Sequence, residues 1–226
     1  MHAMVTSLKD LFEQNANPEQ AGPMAAYMRN QFSYLGIKNP QSSALQKQFY
    51  AIQGLPVTNE LGPILHDLWS LPEREFQYAG ISLLGKLEEK LPSEFIATLE
   101  YLLITKSWWD TVDSIAAGAI GTHFQRFPDV RAECLARWRL SDNFWLRRTT
   151  ILFQLGYKKT TDFPLLCSII GDNLGSKEFF INKAIGWALR QYSRVDAQGV
   201  RDFVAQTALH PLSAREAVKW LERGTK

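Results

Sequence analysis

The sequence predicts an all-α fold, and its apolar pattern supports this in two ways. Hydrophobic residues recur at spacings of three and four along nearly the whole chain, which is the periodicity of one face of an α-helix. Proline, glycine, asparagine, aspartate or serine interrupts this pattern about every 12 to 20 residues, as helix ends do. No segment shows the convincing period-two alternation of a half-buried strand. We therefore expect helices joined by short turns throughout.

The predicted helices begin at recognisable capping residues. In order along the chain, they cover residues 18–33, 40–53, 59–70, 73–89, 92–105, 107–126, 128–139, 142–156, 162–173, 177–194, 197–209 and 212–224. Prolines fall in or near four first turns, where the missing amide hydrogen is not needed, at Pro40, Pro72, Pro92 and Pro128. Side-chain caps are predicted at Ser93, at Ser107 with Asp110 as a capping-box variant, and at Ser141 with Asp142.

The number and spacing of these helices predict a repeat architecture. About a dozen helices of one to four turns, joined by short linkers, give a repeat of about 35 to 40 residues. This is the period of HEAT-like arrays, in which antiparallel helix pairs stack into a curved α-solenoid with a concave face. We expect about six such pairs. No linker rich in Gly, Ser or Pro marks a boundary, so a single domain is predicted over residues 1–226.

The composition narrows the class of protein further. At 226 residues and 46% hydrophobic content, the chain can bury a core. Its longest apolar stretches, such as 115–121, are far shorter than the about 18 to 20 residues of a membrane span, and its start lacks a secretory signal pattern. We therefore expect a cytoplasmic protein with no membrane contact. Cys134 and Cys167 are expected to be reduced, buried thiols, and the scattered histidines predict no metal. We also expect no cofactor.

The charge distribution favours a polyanionic partner for the C-terminal half. The net charge is only +2, but residues 1–100 hold 7 Lys and Arg against 11 Asp and Glu, while residues 101–226 hold 18 against 12. A basic surface attracts nucleic acid because neutralised phosphates release condensed counterions. The asymmetry alone is weak support, since lysine and arginine usually just solvate helix faces.

The segment Lys106–Asp113, Lys-Ser-Trp-Trp-Asp-Thr-Val-Asp, is the most unusual of the chain. Trp109 and Asp113 are four residues apart and therefore share one face of a predicted helix, one turn apart. The stripe assigned to the core comprises Trp108, Val112 and Ile115. Asp110 is better explained as a capping carboxylate near the positive helix end. By local pattern alone Asp113 is more commonly a solvated surface acid than a functional one.

A second aromatic and basic stripe lies in residues 180–194. One face carries Lys183, Trp187, Arg190 and Arg194. The neighbouring face, assigned to the core, carries Ile181, Ile185, Ala188 and Tyr192. Trp187 is thus displaced from the core and surrounded by cations, which favours nucleic-acid contact. The alternative is an aromatic at the edge of the core, covered by arginine stems.

Two further segments supply candidates. Arg147 and Arg148 follow a predicted helix start, where cations oppose the helix dipole, so phosphate binding or the commoner salt bridging must explain them. In residues 24–40, Gly36 is interpreted as the C-cap of the helix over 18–33. Tyr27 could belong to the core or to a groove, and periodicity does not decide between them.

Together these segments resemble the AlkD-like DNA glycosylases, a HEAT-repeat family that repairs alkylated DNA, and the resemblance covers nearly the whole chain. The motifs that carry it are Tyr27–Phe32 with Leu35–Lys38, Leu71–Tyr78, Lys106–Asp113, Trp145–Thr149 and Lys183–Arg190.

The resemblance implies an enzyme that hydrolyses the N-glycosidic bond of cationic lesions such as 3-methyladenine and 7-methylguanine. It implies that Asp113 is the catalytic carboxylate, that Trp109 and Trp187 line the sugar of the lesion, and that Arg148 and Tyr27 complete the cleft. The partner would be double-stranded DNA with alkylated bases, held in the concave groove by a monomer. The candidates for DNA contact are Tyr27, Lys38, Lys106, Arg147, Lys183, Arg190 and Arg194.

Two alternatives remain open at this stage. Some relatives of similar fold lack the catalytic residues and bind damaged or branched DNA without excision. HEAT arrays also commonly bind other proteins. The presence of Asp113, Trp109, Trp187 and Arg148 favours the enzyme over the first alternative.

Overall fold

The computed structural model describes residues 1–221, and within them the chain is helical, with one isolated bridge between Ser33 and Glu73 in place of any strand. The α-helices are α1 Ala3–Gln14, α2 Pro18–Tyr27, α3 Asn39–Gln53, α4 Thr58–Ser70, α5 Arg74–Leu87, α6 Ile96–Ile104, α7 Trp109–Ile115, α8 Gly121–Arg126, α9 Pro128–Trp138, α10 Phe144–Leu152, α11 Phe163–Asp172, α12 Phe179–Tyr192, α13 Ala197–Gln206 and α14 Pro211–Val218. Short 3₁₀ turns cover Glu88–Lys90, Ser93–Phe95 and Lys158–Thr160, and a π-helix covers Ala116–Ile120.

The helices form two compact units, Met1–Thr98 and a second unit that begins at Leu99, so the boundary falls inside α6. The single domain over residues 1–226 stays a prediction. The end of the predicted helix over 212–224 lies outside the described residues. None of the helices within residues 1–221 is long and apolar enough to cross a membrane. Within the same residues no three His, Cys, Asp or Glu side chains are grouped so that they could hold a metal ion.

The first unit packs α1 against α3 and α4, and α4 against α5. Helix α1 was missing from the sequence prediction, which placed no helix before residue 18. Its apolar residues Val5, Leu8 and Phe12 are nevertheless spaced by three and four, and all of them are buried. Phe12 stacks on Phe76 of α5 with ring centroids 5.8 Å apart.

The predicted helix over 18–33 is too long, and the role assigned to Gly36 is wrong. Helix α2 ends at Tyr27 because Arg29 and Asn30 adopt left-handed backbone angles, with φ of 55° and 54°. Gly36 lies beyond this helix at φ 87°, where an added Cβ would come within 1.9 Å of the Asn17 carbonyl oxygen. Position 36 therefore requires glycine because the backbone of Asn17 approaches it closely, not because it caps a helix.

Two predicted caps are also wrong. The Ser107 hydroxyl donates to the Leu103 carbonyl at the end of α6, and the N-cap of α7 is Trp108, which makes no side-chain capping bond. Helix α10 is capped by Asn143, whose side chain accepts from the Trp145 amide, while Ser141 accepts from the Asn143 amide one step earlier. Serine and asparagine can each serve turns and caps, so spacing alone does not assign them.

The second unit holds the elements with the unusual segments. Helix α10 packs on α7 and α12, and α12 packs on α14. The predicted core stripes are largely confirmed, because Val112, Ile115, Ile181, Ile185 and Ala188 are all buried. Of the two free thiols, Cys134 is buried as predicted and Cys167 is half-buried.

Candidate active site

A cleft of about 360 Å³ opens in the second unit between α7, α10, α12 and α14. It is lined by Trp109, Asp113, Arg148, Phe179, Phe180, Lys183, Trp187, Arg190 and Glu216. All of the residues predicted to be catalytic, Asp113, Trp109, Trp187 and Arg148, line this one cleft. They come from three helices that are separated in sequence by more than a dozen residues each.

Asp113 and Arg148 form a two-pronged ion pair in the cleft. Nε of Arg148 donates to Oδ1 of Asp113 and Nη2 donates to Oδ2, both at 2.7 Å. The side chains of Arg148 and Asp113 are only 5% and 14% exposed, respectively. A planar guanidinium paired in this way fixes the plane of the carboxylate as well as its position. Asp113 is therefore a largely buried carboxylate whose orientation Arg148 fixes, not the solvated surface acid that its local pattern suggested.

Arg148 is itself held from behind. A third guanidinium N–H, on Nη1, donates to the backbone carbonyl of Phe180. Phe180 in turn packs on Trp145 and Trp108, with ring centroids 5.0 and 5.2 Å away. This aromatic cluster joins α10 and α12 to the residue before α7, so the guanidinium has little freedom to leave Asp113.

The electrostatics of Asp113 balance two opposing effects. Burial raises the pKa of its carboxyl above the ordinary value, while hydrogen bonding and charge attraction from Arg148 oppose that rise. An ionised carboxylate has about four acceptor positions, and Arg148 occupies two of them. Asp113 can therefore still accept hydrogen bonds in the cleft that its side chain lines.

The two tryptophans bring aromatic surface to the same cleft. Trp109 is the first residue of α7, and Trp187 lies in the middle of α12. Both are half-buried, so each ring is partly accessible. An electron-rich ring face attracts a cation within about 6 Å of its centroid. The cleft thus combines a fixed carboxylate with two surfaces that suit a positively charged group.

Glu216 was not predicted from the sequence, and it changes the interpretation of the basic stripe on α12. Its carboxylate pairs with Lys183 at 3.1 Å, with Arg190 at 2.7 Å and with Lys219. Burial alone would raise its pKa, but the hydrogen bonds and charges of Lys219 and Lys183 outweigh this and lower the pKa to about 2. Lys183 and Arg190 are therefore held by an internal anion, not displayed freely to solvent.

Glycine makes this arrangement possible. A Cβ on Gly186 would lie 2.5 Å from Cβ of Glu216 and 2.9 Å from the Ser213 carbonyl oxygen. Real Cβ atoms do not approach so closely, so α14 can lie against α12 only because residue 186 has no side chain. The Ser213 hydroxyl also donates to the Asn182 carbonyl, at 2.8 Å. Together these contacts place Glu216 beside Lys183 and Arg190.

Three of the remaining predicted DNA contacts, Lys106, Arg147 and Arg194, belong to the second unit and do not line its cleft. Lys106 is half-buried just before α7, with a left-handed φ of 49°. Arg147 donates to the Ser141 carbonyl, which uses part of the hydrogen-bonding capacity of its guanidinium. Arg194 is exposed beyond the end of α12. Tyr27 and Lys38 are exposed residues of the first unit, at the end of α2 and just before α3. Their roles, including the place of Tyr27 in the cleft, stay predictions.

Sequence reasoning also missed Phe179 and Phe180. Phe179 is 53% exposed at the first residue of α12, whereas a large apolar side chain is usually covered at such a position. Two adjacent phenylalanines just before the cationic stripe could have indicated that these residues line the cleft. Nothing in the local pattern indicated Glu216. Apart from Lys219, its partners Lys183 and Arg190 lie 33 and 26 residues earlier, on another helix.

Comparison with known proteins shows the family and supports the fold. A family model described as DNA alkylation repair enzyme matches residues 8–221. A solved structure, described as a predicted DNA alkylation repair enzyme from Enterococcus faecalis, is 34% identical, covers 91% of this chain and 96% of its own, and superposes with a TM-score of 0.83. Comparison with curated proteins finds no match. The predicted all-α fold class, consistent with an α-solenoid, is confirmed. The chain belongs to the DNA alkylation repair enzyme family.

Proposed function

We propose that the protein is a monofunctional DNA glycosylase, which hydrolyses the N-glycosidic bond of cationic alkylated purines in duplex DNA and leaves an abasic site. The substrates we expect are 3-methyladenine and 7-methylguanine. One observation carries the proposal: the Asp113 carboxylate, fixed by Arg148, lines one cleft with the rings of Trp109 and Trp187.

The chemistry of the leaving group explains why one carboxylate is enough. A purine alkylated at N3 or N7 is already cationic and departs as a neutral base, so it needs no protonation. The energy barrier arises mainly at the sugar, which acquires oxocarbenium-ion character in the transition state. Asp113 opposes that charge, and its remaining acceptor positions orient the attacking water.

Glu216, the second carboxylate of the cleft, supports this assignment because it cannot act as a general acid. A general acid must hold a proton near neutral pH, and enzymes raise carboxyl pKa values for that purpose. The ion pairs of Glu216 lower its pKa to about 2 instead. Glu216 is therefore ionised under physiological conditions and cannot protonate a leaving base. Because Glu216 supplies no proton, the cleft suits a leaving base that needs none.

The tryptophans and the neighbouring cations have separate tasks. Each ring face stabilises a nearby cation by about 0.5 to 2 kcal/mol, which helps hold the lesion but is far below a full enzymatic rate enhancement. The residues that line the cleft include three cations, Arg148, Lys183 and Arg190, against two carboxylates, Asp113 and Glu216, which leaves a small excess of positive charge in the lining. This excess favours a polyanionic partner such as the DNA backbone.

The test is release of free base. Wild type, Asp113→Asn and Asp129→Asn are incubated with a duplex that contains 7-methylguanine, and free base and heat-labile abasic sites are measured. Asp129 is an exposed carboxylate in the first turn of α9 and serves as the matched control. We expect wild type and Asp129→Asn to release base and Asp113→Asn to lose most of that activity while it still binds the duplex.

Each other outcome has a definite meaning. If wild type releases no more base than buffer, the enzyme is not a glycosylase for this lesion and the non-catalytic DNA-binding alternative takes its place. If Asp113→Asn excises at the wild-type rate, Asp113 has no part in the mechanism. Binding that does not weaken as salt rises excludes phosphate contact, and favours a protein partner instead.

A further inference from the structure

The second unit contains another cavity, of about 520 Å³, between the ends of α10 and α12 and the beginning of α11. Its interior is aliphatic and aromatic, with side chains such as Ile151, Leu166 and Tyr192. Three cations line it as well, Lys158, Lys159 and Arg194. None of the described residues that line it is acidic. The cavity therefore combines an apolar interior with positive charge only.

The cations of this cavity differ from those of the cleft in their partners. In the cleft, Arg148 pairs with Asp113, and Lys183 and Arg190 pair with Glu216. In the part of the chain that the structure describes, Lys158, Lys159 and Arg194 enter no salt bridge. Cations without a salt-bridge partner around a concavity of low dielectric raise the positive potential there, which Asp196, acting on Tyr192 of the lining, offsets in part.

The turn that carries the two lysines is fixed by hydrogen bonds. The Gln154 side chain accepts from the Asp162 amide at 2.7 Å and donates to the Asp162 carbonyl at 3.2 Å, which brackets the turn. Tyr157, at its start, donates to the Gly121 carbonyl at 2.7 Å. Lys158 has a left-handed φ of 55°, a conformation that non-glycine residues seldom adopt and that tends to mark functional sites.

The cavity lies along the same helix as the cleft. Gln191 follows Trp187 by four residues, so both project from one face of α12, and Arg194 follows two residues after the helix ends at Tyr192. At 1.5 Å per residue, Gln191 is about 6 Å along the helix from Trp187, and Arg194 lies beyond the helix end. Phosphates of one DNA strand succeed each other about every 3.4 Å along the duplex axis. A strand that runs along α12 with its lesion against Trp187 would thus bring phosphates to this cavity within a few nucleotides.

We propose that Lys158, Lys159 and Arg194 form a phosphate-binding site for the backbone of the same DNA, a few nucleotides from the lesion. The inference rests on the proposed function for its substrate, DNA, but not on the base-release chemistry. It assigns a role to Lys158 and Lys159, which were not among the candidates for DNA contact, and it gives Arg194 a definite partner.

The experiment measures the salt dependence of binding to an undamaged duplex by fluorescence anisotropy, from about 50 to 200 mM salt. The variants are Lys158→Ala combined with Lys159→Ala, and Arg194→Gln, which tests the same site without altering the turn. The slope of log affinity against log salt should fall by about 0.9 for each phosphate that a variant no longer neutralises. We expect both variants to show this fall. The charge-conserving pair Lys158→Arg and Lys159→Arg should keep the wild-type slope.

A matched control removes two positive charges elsewhere. Lys86 and Lys90 are exposed residues of the first unit, and their double alanine variant should leave the slope unchanged. If the cavity variants also leave it unchanged, the proposal is overturned. Inorganic phosphate at constant ionic strength provides the second arm. If it raises the melting temperature of wild type but not of the lysine variant, while the DNA slopes are equal, the site binds a small free anion and the DNA assignment fails.

The two proposals fail separately. A reduced salt slope in the variants supports the phosphate site even if wild type releases no base. Conversely, base release by wild type together with unchanged slopes in the variants keeps the glycosylase and removes the phosphate site.

Discussion

Arg148 forms a bidentate ion pair with Asp113, in which Nε and Nη2 each donate to one carboxylate oxygen at 2.7 Å. Both side chains are largely buried. The geometry has an energetic consequence. Charges taken out of water are costly to bury, and each member of the pair depends on the other to offset that cost. The pair should therefore matter for stability as well as for the chemistry of the cleft.

Removing only Arg148 tests this dependence. Arg148→Met leaves the Asp113 carboxylate buried without its partner, and we expect the free energy of unfolding to fall by about 3 to 5 kcal/mol. Replacing both residues, as Arg148→Met with Asp113→Asn, should recover a substantial part of that loss because no unpaired charge remains. Urea denaturation of the four proteins in this cycle measures the coupling. A loss below about 1 kcal/mol for Arg148→Met would mean that water already screens the pair.

Glu216→Gln should separate DNA affinity from catalysis. The substitution removes the anion that Lys183, Arg190 and Lys219 share, so these cations become available to phosphates. We expect tighter binding to undamaged duplex and a salt slope steeper by about 0.9 for each phosphate gained. We also expect slower base release, on the order of tenfold, because the cations lose the carboxylate that aligns them.

The control for this variant is Asp172→Asn. Asp172 pairs with Arg139 away from the cleft, so its loss changes the net charge equally without freeing the cations of α12. Affinity and base release should both stay near wild type. If Glu216→Gln instead weakens DNA binding, Glu216 contributes to the DNA surface in a way that an internal counter-anion does not explain.

The pH dependence of stability should carry the signature of Glu216. Its pKa in the folded protein is about 2, below the ordinary value of 4.5, so its ion pairs stabilise the fold fully above about pH 4.5. That contribution disappears as the pH falls from 4.5 towards 2 and Glu216 becomes protonated. The stability difference between wild type and Glu216→Gln, measured by urea denaturation, should therefore shrink steadily over this range. A difference that is constant with pH would show that the ion pairs do not stabilise the fold.

Helical periodicity was sufficient to place most of the elements and the buried faces. Local rules failed where two signals competed. Ser107 satisfies the pattern of an N-cap, yet its hydroxyl bonds to the preceding helix at Leu103. The end of α2 depends on left-handed angles at Arg29 and Asn30, which helix-forming propensity does not reveal.

The site was predictable to the extent that its residues share a helix. Trp109 with Asp113, and Lys183 with Trp187 and Arg190, follow from spacing on α7 and α12. That Arg148 faces Asp113, 35 residues earlier, depends on how α10 packs on α7, and no local pattern gives that. Glu216 is a long-range partner of the same kind, so the sequence could indicate the cations but not the anion that holds them.

Gly186→Ala tests the contact that brings this anion into place. The new Cβ would lie 2.5 Å from Cβ of Glu216 and 2.9 Å from the Ser213 carbonyl oxygen, so α14 must move away from α12. Overpacking of this kind costs about 1 to 3 kcal/mol, which should outweigh the better helix propensity of alanine, and urea denaturation measures the loss. Gly171→Ala is the matched control, because a Cβ there meets nothing within 4 Å inside α11. Gly171→Ala should be neutral or stabilising by up to about 1 kcal/mol. Gly186→Ala should also shift DNA binding in the direction of Glu216→Gln, because displacement of α14 withdraws the same carboxylate. A destabilised variant with unaltered salt dependence would show that α14 stabilises the fold without controlling the cations of α12.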